Sequence, residues 1–175
     1  MGTKAIFNLN SIDIDDLDAS SATMNYPVGS EIVIKDSTSA MPQTYIYVKA
    51  HAGLSLGQPI ALVEGSGGDA EMVTVGVATF ADGQGTLIGF PLAAITSGHY
   101  FFAQISGVIT AAAGTVAAGD HVEVLNGGTT VVVDGMSGST TRTANSIGIA
   151  KTATSSGTAS IVVMPGRRVH VASST

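Results

Sequence analysis

Apolar residues in this chain come in short alternating runs, and each run is cut off by Gly, Ser, Asn or Asp before it exceeds about eight residues. No window keeps an apolar residue at every third or fourth position long enough to form one face of a helix. Glu31-Ile32-Val33-Ile34-Lys35 and Tyr45-Ile46-Tyr47-Val48-Lys49-Ala50 read as strands of β-branched and aromatic residues. So do Pro59 to Glu64, Met72 to Thr79, and Thr86 to Phe90, the last stopped at Pro91. His99 to Ile105 leads through Ser106-Gly107, read as a turn, into Val108-Ile109-Thr110. His121 to Leu125 turns at Asn126-Gly127-Gly128 into Thr129 to Val133, and Asn-Gly is a strong hairpin signal. Ser146 to Lys151, Ala159 to Met164 and Arg168 to Ala172 bring the expectation to roughly twelve short strands. Leu92-Ala93-Ala94-Ile95 and Ala111-Ala112-Ala113 could make one helical turn each, but neighbouring Gly blunts propagation. The expected fold is all-β: a small barrel or sandwich of short antiparallel strands joined by hairpins.

Residues 1–25 stand apart. Ile12-Asp13-Ile14-Asp15-Asp16-Leu17-Asp18 concentrates acids, and Ser20-Ser21-Ala22-Thr23 follows. This stretch reads as an extended N-terminal arm that could add a strand to a neighbour, with residues 26–175 as the β-rich body. Residues 134–145 are polar and rich in Gly, Ser and Thr, and read as a loop. Two echoes run through the body. Thr74-Val75-Gly76-Val77-Ala78 resembles Ser146-Ile147-Gly148-Ile149-Ala150, each leading through Gly-Thr to a Pro, an internal repeat of about 74–91 and 146–165. Gly98-His99-Tyr100-Phe101 likewise resembles Gly119-Asp120-His121-Val122. Mid-strand glycines such as Gly76 and Gly148 suggest a bulge, a corner or a close backbone approach.

Charge narrows the function classes. Charged residues are 11% of the 175, where a typical domain has about 25%. Seven Lys and Arg are scattered and the net charge is -6, a poor footprint for nucleic acid or an anionic membrane surface. No run of 18 apolar residues suggests a membrane-spanning helix, and the first residues lack the apolar core of a signal peptide. With no Cys there is no disulfide framework and no thiolate chemistry. A surface so poor in charge suits close contact with other protein, because few charges need desolvating. An obligate oligomer or lattice component is therefore expected.

Chemistry is hard to find. His51, His99, His121 and His170 show no metal-binding spacing, and Asp120 and Glu123 beside His121 fall short of a convergent ligand set. Gly65-Ser66-Gly67-Gly68 lacks the Lys-Ser/Thr that would make it a phosphate cradle. Asp13, Asp15, Asp16 and Asp18 lack the frame of a calcium loop. No Gly-x-Ser-x-Gly elbow is present. No enzyme activity, cofactor or metal is expected.

The run Gly98-His99-Tyr100-Phe101-Phe102-Ala103-Gln104-Ile105-Ser106-Gly107-Val108, with Val75-Gly76-Val77-Ala78 and Gly119-Asp120-His121-Val122, resembles the head decoration (capsid cement) proteins of tailed bacteriophages. The likeness spans about residues 70–164 and does not include the arm. It implies a structural virion protein on the outer surface of the capsid. Such a protein is often a homotrimer, and it stabilises the head by bridging neighbouring major capsid protein subunits. It also implies that an N-terminal arm reaches a neighbour by strand addition, which needs main-chain hydrogen bonds more than particular side chains. The apolar arm residues Ile6, Phe7, Leu9, Ile12, Ile14 and Leu17 are the candidate capsid or oligomer contacts. The alternatives are another virion part (tail, baseplate, fibre or minor head protein) or a carbohydrate-binding β-module. For the last, Tyr45 with Tyr47, or Tyr100 with Phe102, each pair on one strand face, would have to border a groove instead of filling a core.

Overall fold

The computed structural model describes residues 17–35, 41–64, 72–75, 86–124, 128–133, 146–163 and 168–169. The Gly65–Gly68 loop, the 134–145 loop and Gly76 lie outside them, so the first copy of the 74–91/146–165 echo is only partly described. Twelve strands occur among the described residues: β1 (Ser20–Ser21), β2 (Glu31–Ile34), β3 (Gln43–Ala50), β4 (Ile60–Glu64), β5 (Met72–Val75), β6 (Thr86–Pro91), β7 (Tyr100–Ala113), β8 (His121–Val124), β9 (Val131–Val133), β10 (Gly148–Ala150), β11 (Gly157–Val163) and β12 (Arg168–Val169). The all-β expectation holds. Neither candidate helical turn forms: Leu92 to Ile95 is bend and bridge, and Ala111 to Ala113 ends β7.

The first half of β7 pairs with β3 and β6, β6 with β4, β4 with β5, and β5 runs parallel to β3, closing a five-stranded barrel. The second half of β7 belongs to a second five-stranded ring, in which it pairs with β11, β11 with β10, β10 with β8, and β8 with β9. That ring closes through one parallel pair, Ala113 with Val131, and a hydrogen bond from Gly114 N–H to the Val131 carbonyl at 3.0 Å. Outside these rings β1 pairs with β7, β2 with β3, and β12 with β6.

A single 14-residue strand, β7, thus threads both rings. Ser106-Gly107, expected as a turn, is instead the point where this strand passes from one ring to the other. Thr44 faces Ser106 but Tyr45 faces Gln104, so Ile105 is an extra residue on β7. Gly107 takes a φ of 94°, and a Cβ there would come within 2.9 Å of the Pro42 carbonyl oxygen. Ser-Gly serves a bulge as readily as a turn, and pairing decides between them. Gly107 to Ala113 are held in register against Val163 to Gly157, which leaves no room for a reversal. Gln104 is buried at the bulge, and its side-chain amide donates to the carbonyls of Ser106 and Val108, both at 3.1 Å. Ser106 Oγ donates to Thr44 Oγ1 at 2.8 Å. The polar atoms exposed by the break in the ladder are thereby given partners.

The two rings repeat one motif in permuted order. In the first, Ala50 N–H donates to the His99 carbonyl at 2.8 Å, Gly98 N–H to the Ala50 carbonyl at 2.8 Å, and Leu54 and Ile95 exchange two bonds at 2.9 Å. In the second, Ala150 N–H donates to the Asp120 carbonyl at 2.9 Å, Gly119 N–H to the Ala150 carbonyl at 2.8 Å, and Val116 and Thr154 exchange two bonds at 2.9 Å. Gly98 and Gly119 both have positive φ, 82° and 94°, as do Gly57 and Gly157, 67° and 112°. On this frame β3 and β4 correspond to β10 and β11, while β6 and the start of β7 correspond to the end of β7 and β8. The unit that comes first in one ring comes last in the other. The fifth strand differs: β5 is inserted between β3 and β4, and β9 between β7 and β8.

Odd-numbered residues of β7 point inward in both rings. Phe101 and Ala103 join Ile46, Val48, Leu54, Ile60 and Leu62 in the first core. Ile109, Ala111 and Ala113 join Val122, Val124, Val131, Ile147 and Ile161 in the second. Ile88 and Phe90 of β6 also pack into the second core, so a first-ring strand supplies part of the second ring's interior. A third cluster lies on the outer face of β3 and β7, where Leu17 and Ile32 cover Tyr45, Tyr47 and Phe102. This cover explains why β7 is buried on both faces at its start, a pattern of strands packed on two sides.

Candidate functional site: the arm root and a tyrosine groove

The third cluster fixes where the N-terminal segment joins the body. Leu17 is 6% exposed against Ile32, Tyr45, Tyr47 and Phe102. Three residues on, β1 adds to the outer edge of β7, with Ser20 opposite Phe101 and Ser21 opposite Tyr100. Ser20 Oγ and His99 Nδ1 lie 3.3 Å apart. The N-terminal segment is therefore pinned to the body at Leu17 and β1. Of the candidate contact residues, Leu17 is placed here, on the chain's own body. Ile6, Phe7, Leu9, Ile12 and Ile14 lie outside the described residues.

Beside this root is a groove of about 250 Å³. Tyr47 and Tyr100 lie nearly parallel, with centroids 6.1 Å apart and planes at 14°. Tyr26 stands edge-on to Tyr47, with centroids 5.2 Å apart and planes at 87°. Phe102 sits under both, 4.9 Å from Tyr47 and 5.4 Å from Tyr26. The remaining lining residues, Ala19, Ser20, Ser21 and Asn25, carry small or polar side chains. Every lining residue is uncharged. Lys49 Nζ lies 5.3 Å from the Tyr100 ring centre but does not line the groove.

β-strand geometry assembles this site. Tyr45 and Tyr47 share the outer face of β3, and Tyr100 and Phe102 the outer face of β7. The register sets Tyr47 directly opposite Phe102 and Lys49 opposite Tyr100, so the two same-face pairs noted in the sequence merge into one aromatic cluster. Tyr47 is 3% exposed, and its hydroxyl oxygen accepts the Asn25 N–H at 3.2 Å. Burial pushes the Tyr47 phenol above its ordinary value of 10.0, and donation from the Asn25 and Tyr26 backbone partly offsets this. The hydroxyl proton therefore stays in place at neutral pH.

Sequence reasoning singled out the tyrosine pairs but missed Ser20, Ser21, Asn25 and Tyr26 as one unit. The boundary drawn after residue 25 cuts through it, and no local motif announces that these residues fold back onto β7. Among the described residues no group of three or more His, Cys, Asp or Glu is placed to hold a metal ion. His121 Nδ1 lies 3.3 Å from Ser146 Oγ. Its neighbour Glu123 is buried, while His51 is exposed. His170 lies outside the described residues.

No family model matches this sequence, and no curated protein matches it either. Among solved structures the chain is similar to one described as "The crystal structure of head fiber gp8.5 N base in bacteriophage phi29". The two share 13% identity over 69% of this chain and 92% of that one, with a TM-score of 0.49. The overlap of the two folds is partial, and the description belongs to that protein.

Proposed function

We propose that this chain is a non-catalytic structural part of a phage virion, associated with the head. The observation that carries the reading is the pinned arm root. Leu17 and β1 tie the N-terminal segment to the outer face of a doubly packed strand, so an arm can pull on a neighbour without unravelling its own body. The sparse charge of the sequence agrees with a protein whose surface meets other protein. Within this role the finer reading is decoration. A homotrimer would sit on the outer surface of the capsid, bridging major capsid protein subunits, with Ile6, Phe7, Leu9, Ile12 and Ile14 of the arm in contact. Several modest contacts held together would reinforce one another.

Heads purified without this protein, incubated with it and imaged by electron microscopy, test the proposal. Saturable density at fixed sites on the capsid shell supports decoration. Density only on tails or fibres supports the second reading, a different virion part. No binding to any virion structure sinks both. The structure also sharpens the arm test. Removing residues 2–16 leaves Leu17 and β1 in place, and should reduce occupancy on heads while the body stays folded by circular dichroism. Unchanged occupancy would refute the arm as the contact.

A further inference from the structure

We propose that the groove formed by Tyr26, Tyr47 and Tyr100 binds a neutral pyranose sugar. This inference does not depend on the virion reading, and either can fail while the other stands.

The argument rests on matching two kinds of surface. A pyranose ring presents axial C–H groups on its faces and hydroxyls around its edge. The groove offers the complement. The half-buried rings of Tyr26 and Tyr100 give it apolar surface, and the buried Tyr47 supports both, stacked on Tyr100 and edge-on to Tyr26. Around them lie the polar side chains of Ser20, Ser21 and Asn25. A few placed polar groups around an aromatic floor are the usual make-up of a small-molecule site. The site is also built in advance. Tyr47 and Phe102 are held directly across from each other by main-chain pairing, and Phe102 supports Tyr47 and Tyr26 from beneath, so little ordering cost falls on binding.

Charge and size restrict the ligand. No lining residue is charged, so the lining itself offers a phosphate or carboxylate no ion pair to offset its desolvation. The volume of about 250 Å³ falls just below the roughly 300–1,000 Å³ of drug-sized pockets, which suits one ring of a longer glycan. A proline-rich peptide also docks on aromatic grooves, but it needs successive pockets along its length. This pit, rimmed by hydroxyls and an amide, favours the sugar.

Calorimetric titration of the full chain with cellotetraose, maltotetraose and chitotetraose tests the proposal. At least one should bind saturably at concentrations up to about 10 mM, the weak end of measurable affinity. Tyr100→Ala should weaken that binding tenfold or more. Asn25→Ala, on an exposed rim residue outside the core, should weaken it about threefold without changing the circular dichroism spectrum, and Val33→Ser on β2 should change nothing. Silence with all three oligosaccharides overturns the proposal. So does binding that both Tyr100→Ala and Asn25→Ala leave intact. Binding of polygalacturonate or of a proline-rich peptide while the neutral sugars stay silent overturns it as well.

Discussion

The two rings share a hydrogen-bonded frame but fill it with different side chains. The first is packed by Phe101, Leu54, Leu62, Ile46 and Ile60, and is covered outside by an aromatic cluster and the arm root. The second holds four alanines, Ala111, Ala113, Ala150 and Ala159, among Val and Ile, and it borrows Ile88 and Phe90 from β6 of its neighbour. Its closure rests on one parallel residue pair, whereas the first closes through two. One frame thus serves two ends. The richer ring carries the groove and the root of the arm, and the leaner ring depends on the richer one for part of its core.

That dependence makes Phe90 the position where the comparison is most easily broken. Phe90 is fully buried in the second core while its backbone belongs to the first ring. Phe90→Ala should cost about 3–5 kcal/mol in denaturant unfolding. Hydrogen exchange should accelerate most in β8, β10 and β11. Equal acceleration in β2 and β3 would mean that the rings do not differ in this way.

Gly148 tests the leaner ring from within. A Cβ at this residue would stand 2.1 Å from the Val162 carbonyl oxygen, and backbone cannot swing aside as a flexible side chain would. Gly148→Ala should therefore cost about 3 kcal/mol, the upper part of the usual overpacking range. Gly98→Ala, with open space but a φ of 82°, should cost about 1 kcal/mol by backbone strain alone. A reversed order, measured by the same unfolding assay, would show that β10 and β11 are less closely apposed than described.

Gln104 tests the junction between the rings. Gln104→Leu removes the amide that donates to the Ser106 and Val108 carbonyls at the bulge. The expected loss is about 1–2 kcal/mol. Exchange should rise at Ser106 to Val108, ahead of either strand end. A neutral substitution would mean that pairing with β11 alone fixes the break.

Gly148, Gln104 and Gly107 also show what could be read in advance. Gly148 could be singled out as a site of close approach because a glycine between isoleucines in a strand has few other reasons to be there. Gln104 and Gly107 could not be interpreted, since Ser-Gly after a strand is equally a turn and a bulge. Only pairing with β11, where Gly107 faces Val163, resolves it. Half of the permuted repeat was legible, since the echo of Gly98-His99 in Gly119-Asp120-His121 stood in the sequence. The other half was hidden for a related reason: its recurring residues are Ala50 with Ala150, Ser55 with Ser155 and Gly57 with Gly157, common small residues whose shared role is a backbone conformation. The groove was half legible. Period-two spacing put the tyrosines on shared faces, but long-range register brought the two faces together, and β1 supplied a rim that no local pattern announces.

The smallest expected effect is a pH dependence confined to the richer ring's outer face. Burial holds the Tyr47 phenol above 10.0 in the folded chain, while the unfolded chain titrates near that value. The folded state then keeps a proton that the unfolded state releases, so unfolding is favoured as pH climbs. The stabilising contribution of the neutral phenol is fully present below pH 10. It declines as pH rises from the unfolded value toward the folded one. Stability measured by denaturant between pH 8 and 11 should fall in the wild type at the alkaline end, and Tyr47→Phe should remove that part of the fall. Because the same hydroxyl holds the Asn25 N–H at the groove's rim, sugar affinity in Tyr47→Phe should drop severalfold at pH 7 as well. Loss of the alkaline effect with affinity unchanged would assign Tyr47 to packing alone and leave recognition to Tyr26, Tyr100 and the serine–asparagine rim.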